Sequence, residues 1–303
     1  MSTPRHHVAV LMGGPDGEHD VSLVSGAAIA EALRAIDDVH VTEHVIGRLD
    51  QADLAAIPGD VIFPALHGPW GEGGPLQHLL EVDGRPFVGC GSAAASAAMN
   101  KHQAKQVARD LGIPTADWES IPAGGVTTMA PPVVIKPVAE GSSLGVHIAR
   151  SDTERDNAIA ELSKHGADIL VEQFVDGREL TVGILGEMAL PIIEITAASG
   201  TYDYDAKYDR DDTIYTVDPD LDPATRAMVS DAALALHRAI GARHLSRVDF
   251  LLDATGPWLL EINTMPGFTS HSLLPMAAKA HGWPLPEVCR RLIELACPAH
   301  RTA

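Results

Sequence analysis

The chain contains little cysteine and few basic residues. Its 303 residues include three cysteines, Cys90, Cys289 and Cys297, in no metal-ligand spacing, and such an odd, sparse set indicates a reducing compartment without a disulfide framework. Lysine and arginine number 22 against 41 aspartates and glutamates, which gives a formal net charge of −19. This balance argues against a protein that binds the nucleic-acid backbone, because such binding needs a basic surface. A small basic cleft for a nucleotide is still compatible with an acidic molecule.

Long hydrophobic runs are missing as well. No stretch approaches the roughly 18 to 20 uncharged apolar residues of a membrane span, and residues 1–10 lack the apolar core and small-residue cleavage site of a signal peptide. We therefore expect a cytoplasmic protein with no membrane partner. The hydrophobic fraction of 46% supports a sizeable core, and the length fits two or three subdomains that share clefts.

The first part of the chain alternates strand and helix patterns. Apolar runs at residues 8–12, 39–46 and 61–66 predict strands, and residues 22–36 and 75–82 predict helices, with Ser22 as an N-cap. This alternation predicts an α/β unit with a parallel, doubly wound sheet. Ligands of such sheets bind beyond the carboxyl ends of the strands, here at residues 13–20 and 67–74.

The remaining elements are mixed. Asn100 is expected to cap a helix that ends at Gly112, and strands at 133–136 and 169–173 flank a helix at 152–164. Residues 180–185 and 188–195 resemble a hairpin about Gly186, and residues 199–216 are expected to form a long loop. Further helices are predicted at 223–240, after the N-cap Asp222, and at 285–296.

The most informative polar pattern lies between residues 247 and 263. Two apolar runs flank residues 253–257, which read as a hairpin turn. Folding this hairpin near Thr255 places Asp249 opposite Glu261, with Arg247 and Asn263 on the same face. Hard oxygen ligands of this kind suit Mg²⁺ that bridges phosphates, and the arginine suits an anionic transition state.

An ordinary hairpin offers an alternative to this interpretation. An exposed polar face on an antiparallel hairpin would show the same residues, and a bulge at the turn would shift the register by one. The pattern alone does not decide between the two.

A second set of candidates surrounds a glycine- and serine-rich loop. Lys136 ends an apolar strand and needs an anionic partner, and residues 140–145 that follow offer N–H groups and hydroxyls to phosphate oxygens. The alternative is a simple turn beside a lysine whose ammonium reaches solvent. Five further candidates follow strands or begin helices: Lys101, Glu172, Glu179, Glu18 and His67. Taken alone, each is explained equally well as a solvated or structural side chain. The segment 269–272 is either a carboxylate-binding turn or a helix N-cap.

Taken in order, these segments resemble the D-alanine–D-alanine ligases of the ATP-grasp superfamily. The resemblance rests on residues 13–22 (GGPDGEHDVS), 65–72 (ALHGPWGE), 99–101 (MNK), 134–145 (VIKPVAEGSSLG), 204–208 (YDAKY), 247–249 (RVD) and 260–273 (LEINTMPGFTSHSL). It covers almost the whole chain. The implied fold is an α/β ATP-grasp architecture with an N-terminal domain at 1–95, a central subdomain at 96–178 and a C-terminal subdomain at 179–303, with ATP held between the last two.

The resemblance also assigns roles to individual residues. It implies catalytic roles for Glu18, Ser142, Tyr208 and Arg247, ATP contacts for Lys101, Lys136, Ser143, Glu172, Glu179 and Lys207, substrate contacts for His67, Gly267 and Ser272, and Mg²⁺ ligation by Asp249, Glu261 and Asn263. Two Mg²⁺ ions are implied, with Mn²⁺ as a substitute, and the chain is expected to form a homodimer.

The implied reaction joins two D-alanines for peptidoglycan precursor synthesis. The first D-alanine attacks the γ-phosphate of ATP to give an acylphosphate, and the amine of the second then displaces phosphate. A related ligase with another acceptor, such as D-lactate, D-serine or a specialised-metabolite amino acid, is the alternative. A nucleotide-binding module without catalysis is a third interpretation, which the joint presence of Lys136, Arg247, Asp249, Glu261 and Asn263 disfavours.

Overall fold

The computed structural model describes residues 6–142, 144–196 and 213–297. Its first unit contains β1 (His6–Gly13), α1 (His19–Arg34), β2 (Val39–Ile46), α2 (Gln51–Ala56), β3 (Val61–Pro64), α3 (Gly68–Gly71) and α4 (Pro75–Asp83). The three strands form a parallel sheet in the order β2-β1-β3. One face of β1 packs on α1 and the other on α2 and α4. The predicted doubly wound parallel sheet is confirmed.

The start of α1 differs from the prediction. The helix begins at His19, and Ser22 lies inside it rather than at its N-cap. The Ser22 hydroxyl is buried, donates to the carbonyl of Ala65 at 2.6 Å and accepts the N–H of Gly13 at 2.8 Å. Ser22 therefore fastens α1 to the ends of β1 and β3, where the predicted binding loops begin.

Two helices lead to the central sheet. They are α5 (Ser92–Met99) and α6 (Lys101–Asp110), and the predicted cap of α6 is confirmed because the side chain of Asn100 accepts the N–H of Gln103. The sheet contains β4 (Trp118–Ile121), β5 (Val133–Pro137), β6 (His147–Ala149) and β7 (Ile169–Gln173), in the order β4-β7-β5-β6, and α7 (Asp152–Ser163) covers one face. All pairings in this sheet are antiparallel.

The third unit is built on a larger antiparallel sheet. It contains β8 (Arg178–Leu185), β9 (Met188–Ala189), β10 (Ile193–Thr196), β11 (Ile214–Val217), α8 (Pro223–Ala239), β12 (Leu245–Asp253), β13 (Gly256–Asn263), α9 (Leu273–Ala280) and α10 (Leu285–Ala296). The main order is β11-β10-β8-β12-β13, and β9 pairs with β8. The helices predicted at 223–240 and 285–296 are confirmed within a residue of each bound.

Two predictions for this unit were wrong in part. The second arm of the predicted hairpin is two strands, β9 and β10, because Pro191 between them cannot donate to the ladder. Residues 214–216, expected in a loop, belong to β11, which pairs with β10. Residues 199–212 of that predicted loop lie outside the described residues.

Some of the hydrophobic cores are shared between units rather than confined to one sheet each. Helices α5 and α6 pack on β13 of the third sheet, and α9 and α10 share one apolar core with β1 and α1 of the first. The subdomain boundaries predicted at 95/96 and 178/179 stay predictions. None of the helices within the described ranges is both long and apolar enough to cross a membrane.

Candidate functional site

Two adjoining cavities lie where the sheets meet. The larger, of about 410 Å³, lies between the central and third sheets and is lined by Lys136 and Glu172 from one side and Trp258 from the other. The smaller, of about 100 Å³, lies between the first unit and the third sheet. The two share Lys101, Glu140 and Glu261 as lining residues. A ligand in one cavity therefore lies next to a ligand in the other.

The polar face predicted for residues 247–263 is present. Asp249 pairs with Glu261 and Arg247 with Asn263 across β12 and β13, as the sequence predicted. The Arg247 guanidinium donates to both oxygens of Asp249, at 2.7 Å and 2.9 Å, and the Thr181 hydroxyl donates to Asp249 at 2.5 Å. The hairpin thus holds the buried Asp249 carboxylate between Arg247, which lines the smaller cavity, and Glu261, which lines both cavities.

The turn of this hairpin is tighter than predicted. Asp253 pairs with Gly256, so the turn is only Ala254 and Thr255, and Phe250 pairs with Leu259. Leu260 is an extra residue between the pairs Phe250–Leu259 and Asp249–Glu261, a β-bulge. The predicted pairing of the carboxylates is correct because the bulge compensates for the error in the turn.

The oxygen donors on this face fit a hard divalent cation. Asp249 and Glu261 supply carboxylates, and Asn263 supplies an amide whose oxygen also accepts the N–H of Met265 at 2.9 Å. Across the described ranges, with residue 143 and 197–212 aside, no three His, Cys, Asp or Glu side chains converge at metal-binding spacing. The donor set therefore depends on the amide and on phosphate oxygens of a ligand.

The lysine of the central sheet has a carboxylate partner. Lys136 lies 2.5 Å from one oxygen of Glu172, and Lys105 lies 2.7 Å from the other. All three side chains are buried. Burial acts to raise the pKa of Glu172, but Lys136 and Lys105 outweigh it and hold that pKa below its usual value. Both oxygens of Glu172 are thus bound to ammonium groups, and the sequence analysis missed Lys105.

The larger cavity is also lined by Lys101 and Glu179, two of the residues whose contact with ATP stays a prediction. The Lys101 ammonium donates to the backbone carbonyl of Glu140 and lies 4.0 Å from Glu261. Lys101 follows the Asn100 cap, and its backbone N–H donates to Val138 at 3.0 Å. The first turn of α6 is therefore attached to the central sheet at the cavity.

Glu18 and the glycine- and serine-rich loop meet in the smaller cavity. The Ser142 hydroxyl donates to Glu18, and a Cβ at Gly141 would lie 3.1 Å from a Glu18 oxygen. Ser142 has a φ of 52°, in the left-handed region, and this turns its hydroxyl toward the first unit. Three predicted residues, Ser143, Lys207 and Tyr208, lie outside the described residues.

His67 and Glu72 line the same cavity, and both are buried. Burial lowers the pKa of His67 to about 4, and the nearby Arg247 charge acts in the same direction. Burial also raises the pKa of Glu72 well above its usual value, with a further contribution from Glu18. At neutral pH the ring of His67 is therefore uncharged, and burial favours the protonated form of the Glu72 carboxyl. Glu72 was not among the predicted site residues.

The loop that carries Glu18 is held by Asp16. One carboxylate oxygen of Asp16 accepts the N–H groups of Trp70 at 2.8 Å and Gly71 at 3.1 Å. Those two residues lie in α3, between His67 and Glu72. Asp16 therefore joins the two loops that end β1 and β3. It was missed because its partners lie more than fifty residues away in sequence.

Gly267 and Ser272 lie side by side at the other end of the cavity. Ser272 begins α9 as its N-cap residue, but its hydroxyl makes no capping bond and accepts the N–H of Thr269 at 2.9 Å. A Cβ at Gly267 would lie 2.8 Å from this hydroxyl. Ser272 is thus the N-cap residue, as one alternative predicted, although its hydroxyl caps no N–H group of α9, and Thr269, His271 and Ser272 also line the smaller cavity.

Comparisons with known proteins agree with this geometry. The family model described as "D-ala D-ala ligase C-terminus" matches residues 107–294. A D-alanine–D-alanine ligase of Bordetella petrii is 42% identical over 98% of this chain and 94% of its own. The D-alanine–D-alanine ligase of Bacillus anthracis complexed with ATP superposes with a TM-score of 0.86 at 29% identity, over 99% of this chain and 98% of its own. The VanG D-Ala:D-Ser ligase of Enterococcus faecalis superposes with a TM-score of 0.83 at 26% identity, over 96% of this chain and 99% of its own. From these matches and the site they accompany, the chain belongs to the D-alanine–D-alanine ligase family and has its ATP-grasp fold.

Proposed function

We propose that this enzyme joins two D-alanines with hydrolysis of ATP to ADP and phosphate, and that the product serves peptidoglycan precursor synthesis. The observation that carries this proposal is the shared wall of the two cavities, where Lys101 and Glu261 line both. A nucleotide in the larger cavity would have its phosphates at that wall. An amino acid in the smaller one would then have its carboxylate within reach of them.

The larger cavity has the lining that ATP requires. Val134, Ile148, Leu251 and Trp258 offer apolar surface to a base. Lys101 and Lys136 offer ammonium groups to phosphate oxygens, and Glu179, which also lines the cavity, suits the ribose hydroxyls. Ser143 and Lys207 are proposed as further ATP contacts on the resemblance alone.

Glu261, Asp249 and Asn263 would hold Mg²⁺ beside the phosphates. When bound, the ions supply positive charge to the oxygens of the transferred phosphoryl group. The chain itself orients this donor set through Arg247 and Thr181, which fix the Asp249 carboxylate from two sides.

The smaller cavity suits the first D-alanine. Glu18, bound to the Ser142 hydroxyl, would accept the substrate ammonium. The uncharged ring of His67 adds no positive charge beside it. The substrate carboxylate would then attack the γ-phosphorus, the bond from that phosphorus to ADP breaks and ADP leaves, and the resulting acylphosphate is a better acyl donor than the carboxylate.

The second D-alanine would complete the reaction. Its amine attacks the acyl carbon, the C–O bond to phosphate breaks, and the amine loses a proton. Arg247 and the backbone N–H of Gly267 are placed to stabilise the negative oxygen of the tetrahedral intermediate, and the Ser272 hydroxyl would bind the second carboxylate. Tyr208 is proposed near this step on the resemblance alone.

The proposal also covers the compartment, the oligomeric state and the partners of the enzyme. We infer a cytoplasmic homodimer without nucleic-acid or membrane partners, on the family resemblance and the acidic composition. The three cysteines are buried and unpaired, which accords with a reducing compartment.

The experiment is phosphate release by the purified enzyme with ATP and Mg²⁺, with products identified by mass. The amino-acid arms are D-alanine, L-alanine, D-serine, and D-alanine with D-lactate or D-serine. We expect release with D-alanine alone and a D-alanyl-D-alanine product. Turnover only with a mixed pair would contradict the acceptor proposed here and leave the chemistry in place. No nucleotide-dependent product in any arm would contradict the reaction itself.

A further inference from the structure

A buried cluster behind the larger cavity carries a second lysine. Lys105 is 1% exposed and is held between Glu172 and the hydroxyl of Thr115, each at 2.7 Å. Lys136, on the cavity wall, binds the other oxygen of Glu172 at 2.5 Å. The cluster is thus one carboxylate between two ammonium groups, with a net charge of +1.

This charge matters because the wall of the cavity is acidic. Among the lining side chains of the described residues, six are acidic and three are basic. ATP carries several negative charges, so such a wall repels its phosphates unless positive charge is supplied nearby. If Lys105 were neutral, Glu172 would cancel the charge of Lys136, one of the three basic residues.

We propose that Lys105 is a positioning residue for the nucleotide: by neutralising Glu172 from behind the wall, it leaves the Lys136 ammonium available to the phosphates of ATP. This inference rests on the proposed binding of ATP in the larger cavity. Burial lowers the pKa of the Lys105 ammonium, and the Glu172 charge opposes that change. The ionised Glu172 carboxylate therefore favours the charged form of Lys105.

A purely structural role for Lys105 has a different signature. The Thr115 hydroxyl donates to the carbonyl of Leu259 on β13 at 3.0 Å, so Lys105 also lies in a link between the central and third sheets. Loss of that link would disturb the whole cavity and weaken every ligand in it. Loss of charge would instead weaken only ligands that carry phosphate.

The test measures dissociation constants of ATP and adenosine by calorimetry, in the full chain without amino acids. We expect Lys105→Met to raise the dissociation constant of ATP about tenfold, because one unit charge near the phosphates is lost. The dissociation constant of adenosine, which carries no phosphate, should stay within about twofold of the wild-type value. Lys105→Gln also removes the charge but keeps N–H donors. It should weaken ATP binding in the same way, and it replaces the methionine variant if that variant does not fold. Lys105→Arg should retain the wild-type ratio of the two constants.

Two further variants serve as controls. Lys279→Met removes one positive charge from an exposed position on α9 and should change neither constant. The double variant Lys105→Met/Glu172→Gln restores the net charge of the cluster, so its ratio of ATP to adenosine affinity should return close to the wild-type ratio.

Equal weakening of ATP and adenosine, or no change in either, would overturn the role of Lys105. A ratio of ATP to adenosine affinity that stays below the wild-type ratio in the double variant would also overturn this role. Failure of the proposed function is separate, since it would appear as wild-type enzyme that binds ATP but forms no dipeptide. Wild-type enzyme that binds no ATP would remove both.

Discussion

Asp249 and Glu261 stand directly opposite each other because Leu260 is bulged out of the ladder between them and the turn. Side chains alternate between the two faces of a strand, so a regular two-residue hairpin would place Leu260 opposite Asp249 and turn Glu261 to the other face. The bulge therefore turns Glu261 to the face that carries Asp249, where Glu261 lines both cavities. Bulges often aim side chains at functional sites in this way.

The first prediction concerns Glu261. We expect Glu261→Gln to lower kcat by on the order of a hundredfold or more, because a metal-bound oxygen donor is worth several kcal/mol of charge stabilisation. The apparent Mg²⁺ requirement, measured by titration of the steady-state rate, should rise with it. Asp231→Asn, which removes an exposed carboxylate on α8, is the matched control. Near-wild-type turnover of the Glu261 variant would remove this residue from the metal set.

The second prediction concerns Asp16. Asp16→Ala leaves the N–H groups of Trp70 and Gly71 without their acceptor, and we expect a loss of about 2 kcal/mol in the free energy of unfolding, typical of bonds to a charged group. The KM for the first D-alanine should rise more than kcat falls, because Glu18 and His67 lose their common support. Asp20→Ala, at an exposed position in the first turn of α1, should cost about 0.5 kcal/mol. Equal behaviour of the two variants would mean that Asp16 does not order the loops.

The third prediction is a pH dependence of stability set by His67. Its pKa is about 4 in the folded chain against an ordinary value of 6.5, so between these values the unfolded chain binds more protons. Folding stability therefore falls as the pH drops through this window. His67 accounts for about 2 kcal/mol of the loss between pH 7 and pH 5. We expect the free energy of unfolding of His67→Gln, measured in urea at pH 7 and pH 5, to fall by that much less than the wild-type value between the two pH values.

The control for this measurement is the exposed His78 on α4. His78→Gln should retain the full wild-type loss of stability over the same pH interval. If His67→Gln retains it too, the ring of His67 is not buried in its neutral form.

The fourth prediction concerns Gly267 and Ser272. Gly267→Ala would place a methyl group 2.8 Å from the Ser272 hydroxyl, which must then move. We expect about a tenfold rise in the KM for the acceptor D-alanine, as for loss of one hydrogen bond to a charged group, and a similar rise in Ser272→Ala. Because both changes act on one hydroxyl, the double variant should be far less than additive. Full additivity in steady-state kinetics would show that the two residues act separately.

The sequence predicted the local features of this fold well. The cap at Asn100, the helix of residues 285–296 and the parallel strands around β1 depend on neighbouring residues and on periodicity, which are visible in the chain itself. The error at Ser22 has the opposite origin. Its hydroxyl binds Gly13 and Ala65 rather than the helix start, and such distant partners leave no local pattern.

The same distinction applies to the candidate site. Glu18, Lys136 and Asp249 stand in recognisable motifs, whereas Lys105 occurs in a helix that reads as solvated, one turn after Lys101. It is buried against Glu172 of β7, which follows 67 residues later in the chain, so no local pattern shows the contact. Glu72 escaped notice for a related reason, since its raised pKa comes from burial and from Glu18, which is distant in sequence.

The shared core of the first and third units has a consequence for synthesis on the ribosome. Val8, Val10 and Leu33 belong to the same apolar core as Val288 and Leu292 of α10, which is translated more than 250 residues after β1. The first unit therefore emerges with one apolar flank open and completes its core only when α10 follows. During that interval the nascent chain presents a surface suited to a chaperone, and truncation before residue 285 would make this exposure permanent.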